Sequence, residues 1–244
     1  MRQPRFYTEQ HLSDHAEITL ETGPSQHIAR TLRMQVGDKL TLFDGSGGEY
    51  PGHIHRLDKR SVTVVLHTKI ARECESPVSI HLGIGMSRGD RMDWIIQKAT
   101  ELGVQLVSPL TTDRSGLKLT EQRLQKKLEH WQRVAISACE QCGRNRVPAI
   151  TPIQTSEHWC QSTCADIKLV LHHRTETPRN LPQDAQTVAL LVGPEGGLTE
   201  SEILLAANQG FIELPLGPRV LRTETAPLAA IALLQSRWGD MTLQ

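Results

Sequence analysis

Three absences narrow the class of this chain. No apolar run among its 244 residues reaches the roughly 20 residues that a membrane-spanning helix needs. The start, Met1, Arg2, Gln3, Pro4, Arg5, has no apolar core of the kind that marks a secretory signal, so the expectation is a cytoplasmic protein. Neither sign of charge is in excess: 27 Lys and Arg balance 27 Asp and Glu, which argues against a strongly cationic nucleic-acid binder. Cysteine is scarce, with five in all. Cys139 and Cys142 are separated by seventeen residues from Cys160 and Cys164, near the spacing of a zinc ribbon. The first pair, however, continues a helical pattern (Leu124, Leu128, Trp131, Ala135, Ala138), and the second pair is one helical turn apart. The expectation is therefore buried or incidental thiols and no metal.

What is present is enough for one large domain, or a small and a medium one, with a core that needs no staples. The balanced charge is unevenly placed. Residues 1–83 carry ten of each sign, residues 84–146 carry eleven basic against seven acidic, and residues 147–244 carry six against ten. Contact with a polyanion is expected to lean on the middle third.

Up to about residue 72 the chain shows short alternating stretches, Ala16–Leu20, Lys39–Phe43, Glu49–Leu57 and Ser61–Lys69, separated by turn residues; this predicts a small β-barrel. Between the first two lies a helix-like segment, His27 to Met34, closed by Gly37. The polar stretch Ala71 to Pro77 marks the boundary of two domains, 1–72 and 76–244. Beyond it, Val78–Ile84 predicts a buried strand running into Gly83, Gly85 and Gly89. These glycines match a dinucleotide-binding loop poorly, being one residue too long and lacking the later acid, and stand as an alternative cofactor site. A helix with Met92, Ile95, Ile96, Ala99 and Leu102 on one face ends at Gly103, a strand covers Val104–Leu110, and a long helix covers Glu121–Cys142. Strands at Lys168–His172, Thr187–Val192 and Phe211–Leu216 alternate with helices, so residues 76–244 are expected to be α/β with a parallel sheet.

Two loops follow the last two strands. The first, Gly193, Pro194, Glu195, Gly196, Gly197, is mostly bare backbone with one carboxylate, suited to close approach of a small molecule. It leads into a helix whose start is marked by Thr199 and Glu202 at capping-box spacing. The second, Gly217 to Thr225, sets Arg222, Thr223 and Glu224 in succession before an apolar helix with Pro227 in its first turn. In open parallel sheets, ligands sit beyond the carboxyl ends of the strands, so both loops are candidates for one site.

The runs LLVGPEGGL (Leu190–Leu198) and LGPRVLRTETA (Leu216–Ala226) closely resemble the RsmE family of uridine-N3 methyltransferases acting on 16S ribosomal RNA of the small subunit. So do MSRGDRMDWIIQKATELGV (Met86–Val104) and EQCGRNRVP (Glu140–Pro148), and the resemblance spans the chain. It implies a C-terminal α/β domain of the SPOUT class with a trefoil knot, a homodimer, and a PUA-like RNA-binding N-terminal domain, whose signature the run RTLRMQVGD fits. Periodicity predicts no knot. The resemblance also implies S-adenosylmethionine as cofactor. The contacts would come from Leu171 and His172 with the adjoining His173, from Leu191, Gly193, Pro194, Glu195 and Gly196, and from Leu216, Gly217, Val220, Leu221 and Thr223. The implied RNA contacts are Arg2, Arg5, Arg30 and Arg33 at the N-terminus, and Arg88, Arg91, Lys98, Arg144 and Arg146 in the middle third.

Uridine N3 bears a proton at neutral pH and is a poor nucleophile until that proton leaves. On this basis Glu224 is assigned to accept the proton, Arg222 to orient the base or a phosphate, and Glu195 to hold the loops in register. The rival expectations are an RNA-binding assembly factor with an inactive methyltransferase fold, and an enzyme of another class using Gly83 to Gly89.

Overall fold

The computed structural model describes residues 3–58, 60–115, 120–172 and 181–241. Arg2 and His173 lie outside them. The chain forms two compact units, one of Met1–Glu75 with Cys139–Val147, the other of Ser76–Ala138 with Pro148–Gln244. The short segment ending α3 (Glu121–Cys142) thus contributes to the first unit, although in sequence it lies in the middle of the second.

The first unit is a five-stranded sheet in the order β1-β3-β4-β5-β2. Its strands are β1 (Arg5–Tyr7), β2 (Glu17–Thr19), β3 (Lys39–Phe43), β4 (Tyr50–Leu57) and β5 (Val62–Leu66). Pairing is antiparallel except between β1 and β3. Alternate residues Leu40, Leu42, Ile54, Val62, Val64 and Leu66 are fully buried and form its core with Phe6 and Ile28. The helix expected over His27 to Met34 begins earlier. A short α1 (Thr22–Gln26) runs into one wide π-type turn, His27–Thr31, in which Leu32 N–H donates to the His27 carbonyl at 3.0 Å. The turn drops Ile28 into the core and leaves Arg30 and Arg33 exposed, Arg33 at φ +52°.

Segment 139–147 packs through buried ions. The Arg5 guanidinium pairs with Glu49 and donates to the Arg144 carbonyl (3.2 Å) and to Asn145 Oδ1 (2.7 Å). Arg144 in turn pairs with Glu75 at 2.6 Å. Both arginine side chains are only 4% exposed. The expectation that Arg5 and Arg144 contact RNA phosphate is therefore corrected: each guanidinium is enclosed and already neutralised by a carboxylate.

The second unit is a parallel sheet in the order β12-β10-β11-β6-β7-β8, with β9 also pairing β7. The strands are β6 (Ser79–Gly85), β7 (Leu106–Thr111), β8 (Ala149–Ile150), β9 (Gln154–Thr155), β10 (Ile167–Leu171), β11 (Thr187–Val192) and β12 (Ile212–Leu214). The helices are α2 (Arg91–Glu101), most of α3, α4 (Ser156–Ser162), α5 (Glu200–Asn208) and α6 (Ala226–Trp238). Because β6, β10, β11 and β12 run in one direction side by side, the loops that follow them emerge along one edge.

The glycines of β6 serve packing. A Cβ on Gly83 would stand 2.7 Å from the Trp159 indole, and one on Gly85 would stand 2.6 Å from Pro194. The space expected for a nucleotide at Gly83 to Gly89 is thus filled at its first two positions by the protein itself, which corrects that alternative. Trp159 comes from α4, which the sequence pattern did not reveal, and its indole N–H donates to His81 Nε2 at 3.1 Å. Ser108 Oγ lies 2.8 Å from the same nitrogen. Burial lowers the His81 pKa to about 4, so the ring is neutral at physiological pH.

None of the five cysteines is in a disulfide. Burial pushes the Cys160 thiol up to about 12, although Lys168 opposes it. Among the described residues, no group of three or more His, Cys, Asp or Glu side chains is placed to hold a metal ion, and no helix is long and apolar enough to cross a membrane.

Candidate functional site

The loop after β11 folds back on itself, with Gly197 N–H donating to the Pro194 carbonyl at 2.8 Å. Gly197 needs its positive φ of +68°, and a Cβ on Gly193 would meet the Leu198 nitrogen at 2.9 Å. The capping box expected from sequence is present: Glu202 N–H donates to Thr199 Oγ1 at 3.3 Å, and Thr199 N–H donates to the Glu202 carboxylate at 2.8 Å. Arg114, in the turn after β7, fastens this loop by donating to the carbonyls of Gly196 (2.8 Å) and Leu198 (3.3 Å).

The loop after β12 turns at Gly217 (φ +83°) and ends in a turn closed by the Arg222 carbonyl, which accepts from the N–H groups of Thr225 and Ala226, each at 2.9 Å. That turn launches α6 with Pro227 in its first turn.

Between these loops and the end of β10 lies a cavity of about 520 Å³. Leu171 and His172 line it from β10; Gly193, Pro194, Glu195 and Gly196 line it from the first loop. Leu216, Gly217, Val220, Leu221 and Thr223 line it from the second. Leu191 does not. It is fully buried in the core beside Trp159 and Val170, and its neighbour Val192 lines the cavity, because successive residues of a strand face opposite sides of the sheet. The sequence argument missed Arg114, about eighty residues upstream of the loop it holds; only its place in a turn after a strand hinted at it.

A second, more open cavity of about 660 Å³ is bounded by Arg88, Gly89, Asp90, Arg91, Trp94 and Glu224. Arg91 links the second cavity to the first, pairing with Glu195 of the first at 2.6 Å and approaching Glu224 of the second to 3.5 Å. Partial burial works against ionisation of Glu195. The backbone N–H groups of Glu195 and Arg88, together with the Arg91 guanidinium, outweigh it and hold the carboxyl below its usual pKa. Arg222, expected to orient the base or a phosphate, is exposed and lines neither cavity. Arg88 and Arg146 are exposed, whereas Lys98 pairs with Glu101 at 2.7 Å.

Residues 74–235 match the model of an RNA methyltransferase domain, and residues 25–66 match that of an RNA methyltransferase PUA domain. The chain is 36% identical to ribosomal RNA small subunit methyltransferase E of Buchnera aphidicola (subspecies Schizaphis graminum), over 99% of both chains. A crystal structure of the Neisseria gonorrhoeae protein of that name bound to S-adenosyl methionine is 37% identical (TM-score 0.92, covering 99% of this chain and 100% of that one). A Legionella pneumophila methyltransferase in complex with the same cofactor is 38% identical (TM-score 0.94, covering 99% and 100%). The small N-terminal sheet and the parallel sheet with its two strand-end loops are those of an RNA methyltransferase of the SPOUT, trefoil-knot class with a PUA-like domain. Within that class, the chain belongs to the ribosomal RNA small subunit methyltransferase E family.

Proposed function

We propose that this chain transfers the methyl group of S-adenosylmethionine to N3 of a uridine in 16S ribosomal RNA, acting on the assembled small subunit in the cytoplasm. The observation that carries this reading is the 520 Å³ cavity formed by the three strand-end segments, in a chain whose relatives are solved with that cofactor. Its size lies within the ~300–1,000 Å³ of small-molecule sites. Its make-up fits the cofactor: glycine backbone for close approach, Leu171 and Leu221 as apolar walls, and Thr223 and Glu195 as polar groups. When bound, S-adenosylmethionine supplies an electrophilic methyl carbon beside a positively charged sulfur.

The chain's own residues supply the rest. Glu195 ties the first loop to the start of α2 through Arg88 N–H and Arg91, fixing the cavity wall. Glu224, on the side facing the second cavity, accepts the N3 proton, and the neighbouring Arg91 guanidinium offsets the charge left on the imide. The exposed arginines Arg30, Arg33, Arg88 and Arg146 hold RNA phosphate. The protein acts as a homodimer; the exposed Leu233 on apolar α6 offers a surface for a second copy. The assembly-factor reading gains no support from the comparisons.

The test is calorimetric titration with S-adenosylmethionine beside a Gly196→Trp variant. The Cβ of this variant would stand 3.1 Å from the Arg114 side chain, and both residues line the cavity. Binding that the variant loses is the expected result; binding that survives unchanged would move the cofactor elsewhere.

A further inference from the structure

The second cavity contains a residue that the fold does not require. On α2, Met92, Ile95, Ile96 and Ala99 face the core, while Trp94 stands on the outward face with half its surface exposed. Arg91 and Lys98 lie three residues before and four after it, so the three side chains form one stripe. The Lys98 ammonium sits 5.2 Å from the centre of the indole, with Glu101 as its carboxylate partner. Towards the other end of the stripe, Arg91 reaches both Glu195 of the cofactor cavity and Glu224 of the second one. An exposed aromatic surface flanked by cations is the composition that binds unstacked bases. Here it lines an open cavity beside the cofactor cavity: Glu224 bounds the one and the adjoining Thr223 lines the other, and Arg91 of the one pairs with Glu195 of the other.

We propose that the cavity bounded by Arg88, Arg91, Trp94 and Glu224 receives the acceptor nucleobase, with the Trp94 indole as its stacking surface. This rests on the methyltransferase reading above. Stacking there turns the imide edge of an extruded pyrimidine toward Glu224 and leaves its phosphates within reach of Arg88. Trp94 is then a positioning residue: it holds the base while other groups move the proton.

The test uses the full-length protein with Trp94→Ala and Trp94→Phe. Methylation of small ribosomal subunits is followed at saturating cofactor, and subunit binding is followed separately by co-sedimentation. The expected result is a loss of roughly 5- to 100-fold in kcat/KM and weaker subunit binding for Trp94→Ala, with cofactor affinity unchanged and most of the loss restored in Trp94→Phe. Wild-type turnover in Trp94→Ala overturns the proposal. So does a loss accompanied by weakened cofactor binding or by dissociation of the dimer, because Trp94 would then be a packing residue. If the wild-type protein binds subunits but transfers no methyl group, the methyltransferase reading fails, and unchanged subunit binding by Trp94→Ala in the same assay shows separately that the stacking surface fails.

Discussion

Two arginine-bearing segments look alike in sequence, Ser87-Arg88-Gly89-Asp90-Arg91 and Cys142-Gly143-Arg144-Asn145-Arg146, and the structure gives them opposite work. In the second, Arg144 is enclosed and paired with Glu75 beside the Arg5–Glu49 pair, so the segment acts as a fastening of the first unit. In the first, Arg88 is exposed and Arg91 half-buried at the rim of a cavity, between two carboxylates. A guanidinium's role is set by what surrounds it: burial with one matched acid makes it structural, while partial exposure beside a cavity leaves it able to meet a ligand.

The contrast can be broken or sharpened by substitution, because changes at the strand-end loops should alter binding and turnover with stability intact, whereas changes in the fastening should do the reverse. The largest effect is expected from Gly196→Trp, with calorimetric affinity for S-adenosylmethionine reduced beyond detection and the unfolding midpoint little changed. Next, Glu224→Gln should lower kcat on small subunits by about 100-fold or more while cofactor affinity holds. Arg144→Ala removes a buried guanidinium and leaves the partly buried Glu75 without its partner, and should cost about 3–5 kcal/mol in urea unfolding; Arg88→Ala, at an exposed position, should stay within about 0.5 kcal/mol.

His81 gives a smaller, pH-dependent effect inside the second unit. Its pKa is about 4 in the fold against an ordinary value of 6.5, so the unfolded chain binds more protons between those values. The stability it contributes is complete above about pH 6.5 and is lost as pH falls toward 4, amounting to about 3 kcal/mol. Urea unfolding across that range should show a steeper loss of stability toward acid in the wild type than in His81→Gln. A smaller loss is expected at the α5 cap, where Thr199→Ala should cost about 1 kcal/mol.

Much of this was legible in the sequence where the signal is local. The spans Lys39–Phe43, Glu121–Cys142 and Thr187–Val192 emerge with the ends their patterns indicate, and the Thr199–Glu202 capping box is where its spacing placed it. Eleven of the twelve expected cavity residues line one cavity, because two loops and a strand end are contiguous stretches. Features set by distant partners were not legible. The burial of Arg5 depends on Glu49, 44 residues on, and that of Arg144 on Glu75, 69 residues back. The two-residue strands β8 and β9 are too short to show a period, and α4, of seven residues, is little longer. Leu191 and Val192 differ only in strand parity, which an unbroken apolar run does not reveal.

The most direct test of the account is mass spectrometry of 16S RNA nucleosides after purified protein and methyl-labelled S-adenosylmethionine are incubated with small subunits that lack the modification. The expected result is labelled 3-methyluridine approaching one per subunit with the wild type and none with Gly196→Trp. Label on another atom or base, or equal labelling by the variant, would contradict it.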